Sequence, residues 1–176
     1  MLLILLFVMM LVSAGHTDRT KDSVEKLRVL FWQSGTDNMA VMPFYKTAES
    51  CQEPGNPLVK GYLGVATMMR ARVTGNPIKK WYLFNKGKVL LERAIDENPN
   101  LVELHFLRLS VQKELPVILD YSRSIKTDRT FIMDHISAFM NESPDNEVFG
   151  RKILGYLFDK NLIESDQISK LSFNQE

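Results

Sequence analysis

Apolar positions recur along most of the chain at steps of three and four residues, the spacing of one face of an α-helix. No run alternates with period two between turn signals, so the pattern predicts an all-α fold without strands. The first amphipathic stretch, Thr20 to Gln33, carries Val24, Leu27, Leu30 and Phe31 and is stopped by Ser34-Gly35. A second opens at Thr36-Asp37 with Met39, Met42 and Tyr45 at helical intervals, and Pro43 bends it or confines helix to the residues beyond. Leu58, Tyr62, Val65, Met69 and Val73 share one face of a third. From Pro77 to Glu97 the signal is strongest, with Trp81, Phe84, Leu91, Ala94 and Ile95 in one stripe. Gly87 lies inside that stripe. A glycine costs about 1 kcal/mol in a helix interior, so its place there predicts close approach by a neighbouring helix, the one carrying Tyr62 and Val65.

Further on, Leu104, Leu107 and Val111 point inward from a helix over Leu101 to Lys113 that Pro116 ends. The next buries Phe131, Ile132, Ile136 and Phe139, with Thr127 or Asp128 as its cap. Behind Ser143-Pro144-Asp145 another uses Val148, Ile153, Tyr156 and Leu157, and Ser165 to Leu171 allows a last short turn.

Three Asn-Pro dipeptides, Asn56-Pro57, Asn76-Pro77 and Asn98-Pro99, punctuate this array. The Asn side-chain oxygen accepts an orphan N–H at a helix start, and Pro suits the first helical position because the N–H it lacks has no intrahelical partner there. Gly55 and Gly75 precede two of them, as a left-handed helix end requires.

At 176 residues with no low-complexity linker, residues 15–176 read as a single helical domain. Twenty-two basic and 21 acidic residues leave a formal charge of +1, which provides no global field for nucleic acid. The single cysteine, Cys51, excludes an intrachain disulfide and a multi-cysteine zinc cluster and reads as a buried thiol. Residues 1–14 read as a secretory signal: Met1 to Val12 is apolar throughout, and Val12-Ser13-Ala14 suits cleavage before Gly15. The run is about half the roughly 20 residues a spanning helix needs, so no stable membrane span is expected after cleavage, and the protein is expected to be secreted or periplasmic.

Gly87, Leu91, Ala94 and Pro99 carry the spacing of a second-helix half of a tetratricopeptide repeat: a small residue, a large apolar one, an alanine and a terminating proline. Over that part the chain resembles tetratricopeptide-repeat proteins. The first-helix glycine of the motif falls at Gly75 in a turn, and its aromatic position at Ala71. The resemblance implies stacked antiparallel helical hairpins, with an irregular helical bundle as the alternative, and a groove that binds another protein.

Catalytic equipment is not visible. The chain has no G-x-S-x-G, no phosphate-binding Gly-rich loop with Lys and no H-E-x-x-H, and no enzyme activity, cofactor or metal is expected. His105 and His135 lack the i, i+4 spacing of a helical metal motif, although a site shared between their two helices stays open. Two surfaces stand out as binding candidates. Arg70, Arg72, Lys79 and Lys80, beside Trp81 and Tyr82, form a basic, aromatic region that suits an acidic protein partner, a phosphate-bearing glycan or lipid headgroups. Met39, Met42, Met68 and Met69 suit an adaptable apolar site in a carrier of a small apolar ligand. The leading expectation is an exported helical scaffold or protein-interaction module, with the carrier as its alternative.

Overall fold

The computed structural model describes residues 21–51, 55–116 and 121–173. The predicted signal segment and cleavage site, the Gln52 to Pro54 part of the predicted loop and the stretch from Val117 to Asp120 lie outside the described residues. The fold is all-α, with no strand among the described residues. In chain order the helices are α1 (residues 21–36), α2 (Val41–Ser50), α3 (Pro57–Arg72), α4 (Pro77–Glu97), α5 (Val102–Glu114), α6 (Ile125–Asn141), α7 (Pro144–Asp159) and α8 (Ser165–Phe173); a single 3-10 turn, Asn38–Ala40, leads into α2. Among the described residues, those up to Glu97 form one compact unit and those from Asn98 onward another.

Helix starts follow cap chemistry where the side chain reaches. Asn56 Oδ1 accepts from the backbone N–H of Leu58 at 3.0 Å and of Val59 at 3.3 Å, and Asn76 Oδ1 accepts from Lys79 at 3.0 Å. Ser143 Oγ accepts from the N–H of Asn146 at 3.2 Å, with Pro144 in the first position. The third Asn-Pro behaves differently. After Asn98-Pro99 the next helix begins only at Val102, with Leu101 as a cap that has no side-chain acceptor, so this pair closes α4 rather than opening α5. Gly55 takes the left-handed conformation at φ 99°, whereas Gly75 does not.

In the first unit the centre is a triangle of rings. Phe31 of α1, Phe44 of α2 and Tyr62 of α3 meet edge to face at centroid separations of 6.1 to 6.4 Å. The core face of α2 is Val41, Phe44 and Ala48, not the expected Met39, Met42 and Tyr45 stripe: two registers of similar period compete there, and the branched and aromatic set is the one buried. Pro43 sits in the first turn of α2, where its missing N–H costs nothing.

α3 and α4 form a hairpin whose backbones meet at glycine. A Cβ on Gly64 would lie 2.8 Å from the Gly87 carbonyl oxygen and 2.8 Å from the Leu91 nitrogen, and one on Gly87 would lie 2.8 Å from the Met68 nitrogen. Only hydrogen fits on either side. The close approach predicted for Gly87 is therefore met, against a glycine of α3, while Leu91, Ala94 and Ile95 fill the seam beyond the crossing. Lys60, near the start of α3, pairs with Glu97 at the end of α4.

In the second unit α5 is buried from Val102 to Gln112 except at Arg108, and it packs on α6, which in turn packs on α7. Phe106 of α5 meets Phe149 and Tyr156 of α7 edge to face at 6.0 and 5.5 Å. The inward set of α7 is Phe149, Ile153, Leu154 and Leu157; Val148, expected inside, is exposed one residue out of phase. Asp128 does not cap α6. It lies in the first turn, fully buried, and binds side chains of α5.

Candidate interaction surface

α4 has two faces of unlike chemistry. The inner one, Leu83, Phe84, Gly87, Leu91, Ala94 and Ile95, is buried. The outer one carries a second apolar set, Ile78 at 81% exposure and Tyr82 at 60% with Val89 also in solvent, and Trp81, expected inside, joins it at 62%. The outward position of Trp81 has a geometric cause. The inner face is phased by the Gly87 contact with α3, and residues 78, 82, 85 and 89 lie on another side of the helix. Ile78, Tyr82 and Val89 thus place large apolar side chains in solvent along one side of α4, with Trp81 beside them.

Cations interleave this outer set. Lys79, Lys80 and Lys86 are exposed and form no ion pair among the described residues. Their surroundings make them more positive than the net charge suggests, because no Asp or Glu occurs between Glu53 and Glu92. That interruption-free stretch covers all of α3 and most of α4. It is the signal a sequence reading guided by net charge misses and a count of carboxylates by segment finds.

The two arginines of the predicted basic region have other duties. Arg70 stacks its guanidinium 3.9 Å from the centroid of the Tyr45 ring, and the Tyr45 hydroxyl donates to Glu49 at 2.5 Å. That bond and burial push the Tyr45 pKa above its ordinary value, more than the nearby Arg70 lowers it. Arg72 donates to the Ser34 carbonyl oxygen at 2.5 Å near the end of α1. Arg70 therefore ties the end of α3 to α2, and Arg72, itself still exposed, ties it to α1.

The four methionines differ in burial and partners. Met39 and Met42 are exposed beside and on α2, Met68 is buried against Gly87, and the Met69 sulfur accepts from the Ser34 hydroxyl at 3.1 Å. Cys51 is half-buried.

The histidines are brought close, but not as a ligand pair. The Phe131 ring stacks against His105 on one side, centroid to centroid at 4.1 Å, and against His135 at 4.2 Å. His105 has an acceptor at each nitrogen: Asp128 Oδ1 lies 2.8 Å from Nδ1, and the Pro99 carbonyl oxygen 2.8 Å from Nε2. Arg108 completes the cluster, donating from Nε to Asp128 Oδ2 at 2.8 Å and from a terminal nitrogen to Oδ1 at 2.6 Å. Both oxygens of the Asp128 carboxylate are engaged, and the cluster joins α5 to α6. No group of three or more potential metal ligands occurs among the described residues, and no described helix is long and apolar enough to cross a membrane.

Comparison of the chain with protein families, with characterised proteins and with solved structures finds no match.

Proposed function

We propose that the protein is an exported, non-catalytic helical interaction module that binds an acidic protein partner through the outer face of α4. One observation carries the reading: Ile78, Trp81, Tyr82 and Val89 stand in solvent among lysines, in a stretch free of carboxylates. Such a face combines apolar contact area with a uniform sign of charge, the ingredients of a core anchor and of electrostatic steering. The hairpin of α3 and α4 is a rigid platform for it, in keeping with the tetratricopeptide-like packing of helical hairpins that Gly87, Leu91 and Ala94 suggest. Export rests on the apolar run Leu2 to Val12 and on Val12-Ser13-Ala14.

The test is site-specific photo-crosslinking in the native source. A photoreactive residue at Tyr82 is expected to capture an acidic protein that the same group at Lys126 of α6 does not. Identical products from the two positions would remove α4 as the recognition surface. Sequencing of the recovered chain's N-terminus is expected to begin at or near Gly15.

A further inference from the structure

Resting on the reading of α4 as a recognition surface, we infer that the partner presents an acidic amphipathic helix that lies along Ile78, Tyr82, Asn85 and Val89. These residues follow one another at steps of four, three and four, the seam by which one α-helix meets another. The seam runs for about 17 Å at 1.5 Å per residue, three turns of contact. Lys79 and Lys86 occupy one flank, Trp81 and Lys88 the other, the positions from which paired helices select partners by charge. Basic flanks in a stretch without carboxylates call for Asp and Glu on the facing helix. A second copy of α4 is excluded as the occupant, because it would set lysine against lysine.

Asn85 decides between a helix and a lipid surface of the same charge. It sits in the middle of the seam, between Tyr82 and Val89; its Nδ2 donates to the Trp81 carbonyl oxygen at 2.9 Å, and its Oδ1 has no partner among the described residues. A polar amide at that point is costly in hydrocarbon, whereas in a helix pair one buried amide sets the register. Trp81 supplies the bulky anchor next to it.

The experiment titrates the full chain into two fluorescein-labelled synthetic helical peptides with the same leucine seam, one with glutamate flanks and one with lysine flanks. Fluorescence anisotropy reads the affinity across a salt series, and vesicles containing phosphatidylserine form a third arm. The glutamate peptide is expected to bind at least about tenfold more tightly, with the ratio shrinking as salt rises. The double substitution Lys79→Glu, Lys86→Glu is expected to invert the preference while circular dichroism stays unchanged. An asparagine placed opposite Asn85 is expected to sharpen binding to the wild type and lose that advantage against Asn85→Leu. Equal affinity for the two peptides overturns the inference, and so does vesicle binding without a peptide preference, which assigns the face to lipid headgroups. Either result leaves the crosslink at Tyr82 to judge the recognition surface separately.

Discussion

In the α3–α4 hairpin two backbones touch at Gly64 and Gly87, whereas α5 is held to α6 by a buried carboxylate shared between Arg108 and His105. Both join a pair of helices, and they fail in different ways. The glycine crossing depends on volume: it is indifferent to charge and intolerant of one extra carbon, because the atoms facing that carbon are backbone. The ionic junction depends on completeness. A buried ion pair is near neutral in net stability when whole, but it becomes strongly unfavourable when one member is removed and the other charge stays behind. Charge added or neutralised on the outer face of α4 adds no atom to this inner seam.

The largest effect is expected at the ionic junction. Asp128→Ala leaves Arg108 and His105 facing a buried gap and is expected to destabilise the second unit by about 3 to 5 kcal/mol. Hydrogen exchange should accelerate in α5 and α6 while α3 and α4 keep their protection, as befits units that are compact in themselves. Replacing all three residues by apolar ones of similar size is expected to recover most of the loss. A uniform loss of protection in both units would mean that the contrast between the two junctions is not a local one.

At the glycine crossing the expected cost is smaller and depends on what the added methyl meets. Gly87→Ala drives a Cβ into the Gly64 carbonyl and the Met68 backbone nitrogen, neither of which can step aside without moving α3. A loss of about 1 to 3 kcal/mol is expected. Gly150→Ala of α7 makes an equally close contact, but with the side chain of Met140, which has rotamers to spare. Its cost is expected to be less than half as large in urea unfolding. If the two variants prove equal, backbone opposition is not what makes the α3–α4 crossing rigid.

These two junctions differ also in how far the sequence reveals them. Gly87 declares itself, because a glycine in the middle of an apolar helical stripe has a cost that only close packing offsets. Its partner Gly64 is one of two glycines in α3, Gly61 and Gly64, and periodicity alone does not choose between them. Asp128 looks like a helix cap from the sequence, since Asp ahead of an apolar run usually is one; its real partners are on another helix, and no local spacing encodes them. The outer seam of α4 was half legible. Lys79, Lys80, Trp81 and Tyr82 stand together in the chain, but Trp81 also fits the inner stripe, and only the position of α3 decides which way that ring faces.

The smallest effect lies at a third junction, the most exposed of the three, with the Glu114 side chain 57% exposed and that of Lys160 37%. The Tyr156 hydroxyl of α7 donates to Glu114 Oε1 of α5 at 3.1 Å, and Lys160 reaches the same oxygen at 2.6 Å. Burial, then the charge of Glu114 and their hydrogen bond, raise the Tyr156 pKa above its ordinary 10.0. For Glu114 burial alone acts upward, but the hydrogen bonds from Lys160 and Tyr156 and the charge of Lys160 outweigh it and hold the carboxyl below its ordinary 4.5. The signs follow. A raised tyrosine pKa means that the unfolded chain loses its proton first, so the stabilisation is complete below pH 10.0 and fades as pH rises from there toward the folded-state value. A lowered glutamate pKa gives a contribution that is complete above 4.5 and is lost as pH falls through the folded-state value. Tyr156→Phe keeps the ring contact with Phe106 and removes the hydroxyl, at an expected cost of about 0.5 to 1.5 kcal/mol at neutral pH. Subtracting the variant's urea stability from the wild type's at each pH isolates the tyrosine: the difference should be flat from pH 6 to 9 and decline beyond 10.0. A difference that does not change on the alkaline side would show that the hydroxyl is as free to ionise in the folded chain as in the unfolded one, and the junction would then be a packing contact like the glycine crossing.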